Sequence, residues 1–302
     1  MKPFIPSYVK DGDQVLEEIL LRHLPDYALL FVTDANAMYN NIDTAHAILV
    51  ITRWLKDLHT KGELPPNFPL KAVVSAMIII MRNNIFEFGD YYFLQLLGTA
   101  MGTSAAVMWA TLYYAYHEVH TIIPNHGYNF LYYIQYIDDV FAILIGNLTS
   151  DWDAFSKDIN NFGVLTWDIN EVTLVTSVNF LDMTLTIENQ IIVTRTFQKK
   201  MNLHFYIPPI SEHAPGCIRG TIFGLIGQYY KQNTYCQNFV HFSSLLYKKL
   251  LDRGWHRELI CGLILEANTR AENKPTERTP KKEEDLKDII FLHFTFHKDG
   301  IS

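Results

Sequence analysis

The sequence predicts an α+β chain, in which an antiparallel sheet with helices on one face is followed by a mostly helical, basic region. Three observations carry that prediction. Apolar runs of strand length, "YALLFVTDAN" (27–36), "FLYYIQY" (130–136) and "VFAILIG" (140–146), alternate with longer stretches of helical spacing. The second and third runs are separated by Ile137, Asp138 and Asp139, a connection short enough for a tight hairpin. Beyond residue 195 the strand-like runs give way to helical spacing with a concentration of Lys and Arg.

Taken in order, residues 14–24 have helical spacing and 27–36 read as a buried strand ending in a charge. Asp43 is placed to cap a helix over 44–60, which Pro65, Pro66 and Pro69 bring to a stop. A helix over 70–84 follows, then a hairpin in "FEFGDYYFLQL" with its turn at Gly89 and Asp90. Residues 96–117 predict a buried central helix. The 130–146 hairpin places its carboxylates at the tip, and 151–162 are helical. "LTWDIN" (165–170), "NFLDMTLTIEN" (179–189) and "QIIVTRTFQ" (190–198) read as three successive short strands. Helices run from about 216 to 270. A charged low-complexity linker and a short strand, "IIFLHFTFH" (289–297), close the chain.

The totals narrow the class. A chain of 302 residues with 49% hydrophobic and 19% charged residues is globular and long enough for a substantial core. Three cysteines without CxxC spacing argue against a disulfide framework or zinc finger and suit a reducing compartment. The N-terminus lacks the apolar region of a secretory signal, so an intracellular location, nuclear or cytoplasmic, is expected. Residues 96–117 lack Lys, Arg, Asp and Glu, but a Gly, Thr and Ser cluster opens them and basic flanks are missing. A core helix is therefore expected there, and no membrane association. "HEVH" (117–120) is one residue short of HExxH, so its histidines lack the spacing of that zinc site. The net charge of −7 is unevenly spread. Residues 195–257 hold nine basic and two acidic residues, so a basic segment sits on an acidic remainder, as a polyanion-binding surface would need.

Asp138 and Asp139 pose the central question. Two carboxylates about 5 Å apart repel by roughly 3 kcal/mol at an effective dielectric near 20. Either the pair sits on a solvated turn or something positive lies between them. Asp34, at the end of the 27–36 strand, is placed to join them at one sheet edge, with Asp34 and Asp138 about 4–6 Å apart across a shared cation. Hard divalent cations such as Mg²⁺ are held by few carboxylates together with phosphate oxygens.

"YIDD" between apolar strands resembles motif C of reverse transcriptases, "VTDANAMYNNI" resembles their motif A, and "QLLGTAMGTSAA" their motif B. The wording is most similar to Penelope-like retroelements, and "NFLDMTL" and "FYIPPISEHAPGCIRGTIFGLIGQYYKQNT" resemble that group's later segments. The resemblance implies a right-hand polymerase palm over 1–195 with a remnant of fingers, a thumb-like basic region over 196–270, and a linker and terminal strand over 271–302. It implies an RNA-directed DNA polymerase that transfers dNMP to a primer 3′-hydroxyl, with two Mg²⁺ ions, or Mn²⁺ in substitution, on Asp34, Asp138 and Asp139. Tyr39 would be the steric gate that selects dNTPs. Gln95, Gly98, Thr99, Ala100, Met101 and Gly102, with Thr103, would meet the incoming nucleotide. Lys199, Lys200, Arg219 and Lys231 would hold an RNA or DNA template with its primer, and no stable protein partner is implied. Lys157 matches the region of a family lysine that protonates pyrophosphate, though a surface lysine is the plainer reading. The chain departs from the pattern in three ways: no basic fingers cluster precedes Asp34, no GIY-YIG endonuclease follows, and the usual proline after "GTAMGT" is replaced by Ala105, Ala106 and Val107. A truncated or decayed copy that only binds nucleic acid is the alternative expectation. In a third, structural reading the carboxylates are only a turn.

Overall fold

The computed structural model describes residues 3–273 apart from 21, 146–147, 170–174, 200, 202, 204 and 215, with 148–150 described by backbone alone. The chain forms two compact units: Met1–Leu181 with Leu185–Ile192, and Asp182–Thr184 with the chain from Val193 onward.

The first unit opens with α1 (Gly12–Ile19), which Asp11 caps by accepting the Gln14 N–H. β1 (Leu29–Asp34) leads into a short helix, α2 (Met38–Asn41), and then α3 (Thr44–Thr60). Asp43 caps α3 as the sequence predicts, accepting from the N–H groups of Ala45 and His46. α4 (Leu70–Arg82) precedes the hairpin of β2 (Ile85–Phe88) and β3 (Tyr91–Leu94), turned at Gly89 with φ +62°. Phe86, Phe88, Tyr91 and Phe93 share one face of that hairpin and are exposed. α5 (Ala106–His117) continues through a π-helical turn (Glu118–Ile122) into α6 (Ile123–His126). β4 (Phe130–Tyr136), β5 (Asp139–Leu144) and α7 (Leu148–Ile159) follow.

The central sheet is antiparallel in the order β1-β5-β4. One face packs on helices: Phe31 meets Trp152 and Phe155 of α7 edge-on, at 5.3 and 5.7 Å between ring centres. Trp109, Tyr113 and Tyr114 of α5 complete that core. On the other face Phe141 packs on Phe180. Burial on both faces explains why β5 is a continuous apolar run rather than an alternating one. Residues 7–9 extend the sheet beside β4: Tyr8 bridges Gln135 in parallel, Gln135 N–H donates to the Ser7 carbonyl, and Val9 N–H to that of Gln135.

A second sheet has the order β6 (Ser177–Phe180), β7 (Met183–Glu188) and β8 (Ile191–Thr196). The second unit is completed by α8 (Cys217–Gln232), α9 (Cys236–Asp252) and α10 (Arg257–Glu272), around Ile222, Ile226, Phe242, Leu246, Leu250 and Ile260. No helix among the described residues is long and apolar enough to cross a membrane.

Three expectations are corrected. The 96–117 helix begins only at Ala106, because Gly98 and Gly102 adopt φ +80° and +96°, which no helix accommodates. "LTWDIN" makes only isolated bridges, Phe162 to Leu165 and Ala35 to Trp167. Its Trp167 is drawn into the helix-side core against Tyr114, 4.5 Å between ring centres. "NFLDMTLTIEN" is two strands, β6 and β7, because Leu181 takes φ +53° and turns the chain. The linker beyond 273 and the 289–297 strand lie outside the described residues.

Glu118 is fully buried in the π-helical turn, accepting from Ser7 Oγ at 2.6 Å and Tyr133 Oη at 2.7 Å. Burial pushes its carboxyl from 4.5 up to about 7, against the opposing pull of those two donors. The folded chain therefore holds this proton more tightly than the unfolded one. The resulting stabilisation is complete below pH 4.5 and is lost as pH rises to about 7, a change of about 3 kcal/mol. Glu118→Gln removes the titration while keeping the shape. Urea unfolding at pH 5 and pH 8 should show the variant losing at least about 1 kcal/mol less than the parent across that interval.

Candidate active site

The site is built at the end of the central sheet where β1 stops. β1 and β5 pair so that Asp34 stands directly opposite Asp139. Ala35 N–H donates to the Asp138 carbonyl at 2.9 Å, which makes Asp34 and Asp139 a non-hydrogen-bonded pair. In such a pair the Cα atoms are about 4.5 Å apart and the side chains flank each other on one face. Asp34 is exposed and Asp139 half-buried, so the like charges face solvent while the strands behind them are buried. Asp138 occupies the hairpin turn with Ile137. The edge of β1 away from β5 is braced by residues 166–168: Asn36 N–H donates to the Thr166 carbonyl, Asp168 N–H to that of Asp34, and Thr33 Oγ1 to that of Asp168.

Past Asp34 the chain turns sharply. Ala37 adopts φ +44°, and the Asn41 side-chain amide closes the loop on the Asn36 carbonyl at 2.8 Å. That turn carries Tyr39 on α2, half-buried against the core. Burial, then the charge of Asp138, then Tyr136 hold the Tyr39 hydroxyl above its ordinary pKa. The predicted gate and one predicted carboxylate are thus electrostatic neighbours.

The 95–103 segment docks onto the same turn through backbone. Thr99 N–H donates to the Tyr39 carbonyl at 2.6 Å and Gly98 N–H to that of Ile42 at 2.9 Å, while Thr44 Oγ1 reaches the Gly98 carbonyl at 3.1 Å. A Cβ on Gly98 would lie 2.5 Å from the Tyr39 carbonyl oxygen and 2.9 Å from that of Asn40. Gly98 is therefore required twice, by its positive φ and by the approach. Thr99 is buried, Ala100 half-buried, and Met101 and Gly102 exposed. Gln95 donates to the Leu97 carbonyl, so its amide shapes its own loop.

Among the described residues no three His, Cys, Asp or Glu side chains gather as a set that could hold a metal ion. The donor chemistry still suits Mg²⁺, which takes one or two carboxylates plus phosphate oxygens and waters rather than an all-protein cage. Glu118 and its neighbouring histidines have other partners: His117 Nε2 meets the Asp158 carbonyl and His120 Nδ1 that of Tyr116.

In the second unit Lys199 and Lys231 are exposed, and Lys200 lies outside the described residues. Arg219 hydrogen-bonds both carboxylate oxygens of Glu266, Nη1 to Oε2 at 2.8 Å, and stacks over Phe223. The 195–257 window ends on the first residue of α10. Over 193–273 there are ten basic and five acidic residues, because Glu258, Glu266 and Glu272 belong to the same folded unit. Sequence reasoning also missed Asn41 and Gln135; nothing in a linear pattern marks an amide as a loop brace.

No protein-family model and no curated protein matches the chain. Among solved structures it is similar to telomerase from Candida albicans in complex with a TWJ fragment of telomeric RNA. The TM-score is 0.55 at 9% identity, covering 91% of this chain and 51% of that one. Apo telomerase from Candida tropicalis gives a TM-score of 0.47 at 12% identity, covering 89% of this chain and 47% of that one. The likeness to the Candida albicans structure shows a fold similar to that of the telomerase chain. The chain spans about half the length of these telomerase chains.

Gly98→Ala should cost about 3 kcal/mol or more, combining positive φ with collision against α2. Gly102→Ala, with φ +96° but nothing within 4 Å of an added Cβ, should cost about 1 kcal/mol. Chemical denaturation of the two variants checks that ranking.

Proposed function

We propose that this chain is the palm-centred part of an RNA-directed DNA polymerase, adding dNMP to a primer 3′-hydroxyl, of a retroelement similar to the Penelope-like group. The observation that carries the reading is the opposition of Asp34 and Asp139 at a strand end, with Asp138 beside Tyr39 in the adjoining turn. Asp34, Asp138 and Asp139 would hold Mg²⁺ or Mn²⁺, whose charge assists loss of the primer hydroxyl proton and departure of pyrophosphate. The three carboxylates concentrate negative charge at one strand end, with Asp34 exposed and Asp138 and Asp139 half-buried, where a metal-bound triphosphate could reach them. Tyr39 stands on a rigid turn, where its ring can bar a 2′-hydroxyl. The 98–99 backbone, fastened to that turn, sets how near the templating base pair can come. Primer–template would be held partly through Lys199, Lys200 and Lys231; the RNA in the telomerase structure is consistent with such a partner.

A second reading, nucleic-acid binding without synthesis, is favoured by the lack of a gathered three-donor set among the described residues. Primer extension with Mg²⁺ and dNTPs separates the two. Changing Asp138 and Asp139 together to Asn should abolish extension and leave duplex affinity within about twofold, since no phosphate contact is removed. In the same assay Tyr39→Ala should raise incorporation of ribonucleotides relative to dNTPs. Extension by the Asn pair at the parental rate would overturn the polymerase reading.

The ion pair in the second unit makes a separate prediction about affinity. Lys199→Ala should reduce the log–log salt slope of duplex binding by about 0.9, the value for one phosphate contact. Arg219→Ala should leave it nearly unchanged, because Glu266 already occupies that guanidinium. Titrations between about 50 and 200 mM salt, a range in which such contacts separate well, read both slopes.

A further inference from the structure

The turn that presents Asp138 is strained. Tyr136 and Asp139 are the last register pair of the β4–β5 hairpin, leaving Ile137 and Asp138 as a two-residue loop. Of these two, Ile137 alone has positive φ, +55°. Glycine is the usual occupant of that position in such loops, and a β-branched residue there is an outlier held in place by its surroundings.

What holds it is a buried amide two residues earlier. Gln135 is 2% exposed, and its Nε2 donates to the Ile137 carbonyl oxygen at 2.7 Å. That carbonyl lies in the same rigid plane as the Asp138 N–H. Fixing the Ile137 oxygen therefore fixes the peptide entering Asp138. The peptide leaving Asp138 is fixed too, by the Ala35 N–H on its carbonyl at 2.9 Å. Gln135 is itself secured through its main chain, by the Ser7 carbonyl at 2.8 Å and the Val9 N–H at 3.3 Å. Ser7 is anchored in turn by its hydroxyl on Glu118. Gln135 Oε1 is buried without a hydrogen-bond partner, a cost that a residue serving only to fill space would not carry.

We propose that Gln135 is a positioning residue for Asp138: its amide locks the Ile137 peptide in the left-handed turn, and residues 7–9 hold Gln135 in place to do so. The consequence for nucleotidyl transfer rests on the polymerase reading; the lock itself does not. Without the amide donor, the peptide between Ile137 and Asp138 is free to rotate out of its strained setting, and the Asp138 carboxylate moves with it.

Residue-resolved amide hydrogen exchange on the full chain tests the lock directly. In Gln135→Met, which keeps length and apolar volume but has no donor, the Ala35 amide should exchange at least tenfold faster. The Leu30 amide, bonded to the Val175 carbonyl in the same unit, should stay within twofold. Gln135→Glu supplies a second route should the Met variant fold poorly. Its protonated carboxyl restores a donor to the Ile137 oxygen, so Ala35 protection factors should approach the parent's at pH 5 and lie at least tenfold below the parent's at pH 8, the same-pH comparison cancelling the Glu118 titration that both share. In primer extension both variants should lower kcat at least tenfold at pH 8 with KM for dNTP within twofold. Ala35 protection unchanged in Gln135→Met, or equal to the parent's at pH 8 in Gln135→Glu, overturns the lock. Loosened exchange in variants of a parent that shows no extension supports the lock and overturns the polymerase reading instead.

Discussion

The opposition of Asp34 and Asp139 across β1 and β5 is the constraint on which the rest of the first unit depends. Two carboxylates in a non-hydrogen-bonded pair repel, and like charges directly opposed destabilise a sheet. The chain tolerates them by ending β1 there and letting both side chains reach solvent, while the five register pairs behind them join mostly apolar, largely buried strands. The sheet is anchored by Phe31, Phe141 and their aromatic neighbours on its two faces, far more strongly than two repelling charges can oppose.

The fixed strand end constrains the chain immediately after it. The loop beyond Asp34 must reverse within a few residues, which Ala37 in the left-handed region and the Asn41 amide accomplish. Tyr39 then stands beside Asp138, and the 98–99 backbone binds the turn that carries it. Most of these attachments are main-chain hydrogen bonds, which hold position more rigidly than long side chains can. The sequence is correspondingly exacting at Gly98 and Gln135, where backbone approach or backbone direction is decided, and permissive at the exposed Met101.

Electrostatics distinguishes the two units. In the first, carboxylates face solvent at the sheet end, while Glu118 is enclosed and its carboxyl is pushed up by burial. In the second, the basic character of the linear segment is moderated by α10, whose Glu266 takes up Arg219. A charge count over a window of sequence measures a folded surface only when the window coincides with the unit that folds, and residues 195–257 do not.

The sequence by itself determined the strands and caps with strong local signals: the apolar runs of β1, β4 and β5, the Asp43 cap of α3, the Gly89 turn, and the carboxylates at the strand ends. Those features rest on period, propensity and turn chemistry within a few residues, so they are legible without a partner. The strand reading of "LTWDIN", the single strand through Leu181 and the helix begun at residue 96 were decided otherwise. Positive φ at Leu181, Gly98 and Gly102, and the pull of Trp167 into the core, depend on where distant residues sit. Tertiary structure alone set Asp34 opposite Asp139, brought Gly98 against Tyr39, and aimed the Gln135 amide at Ile137. Register and close approach are properties of two segments together, and neither segment carries them in its own composition.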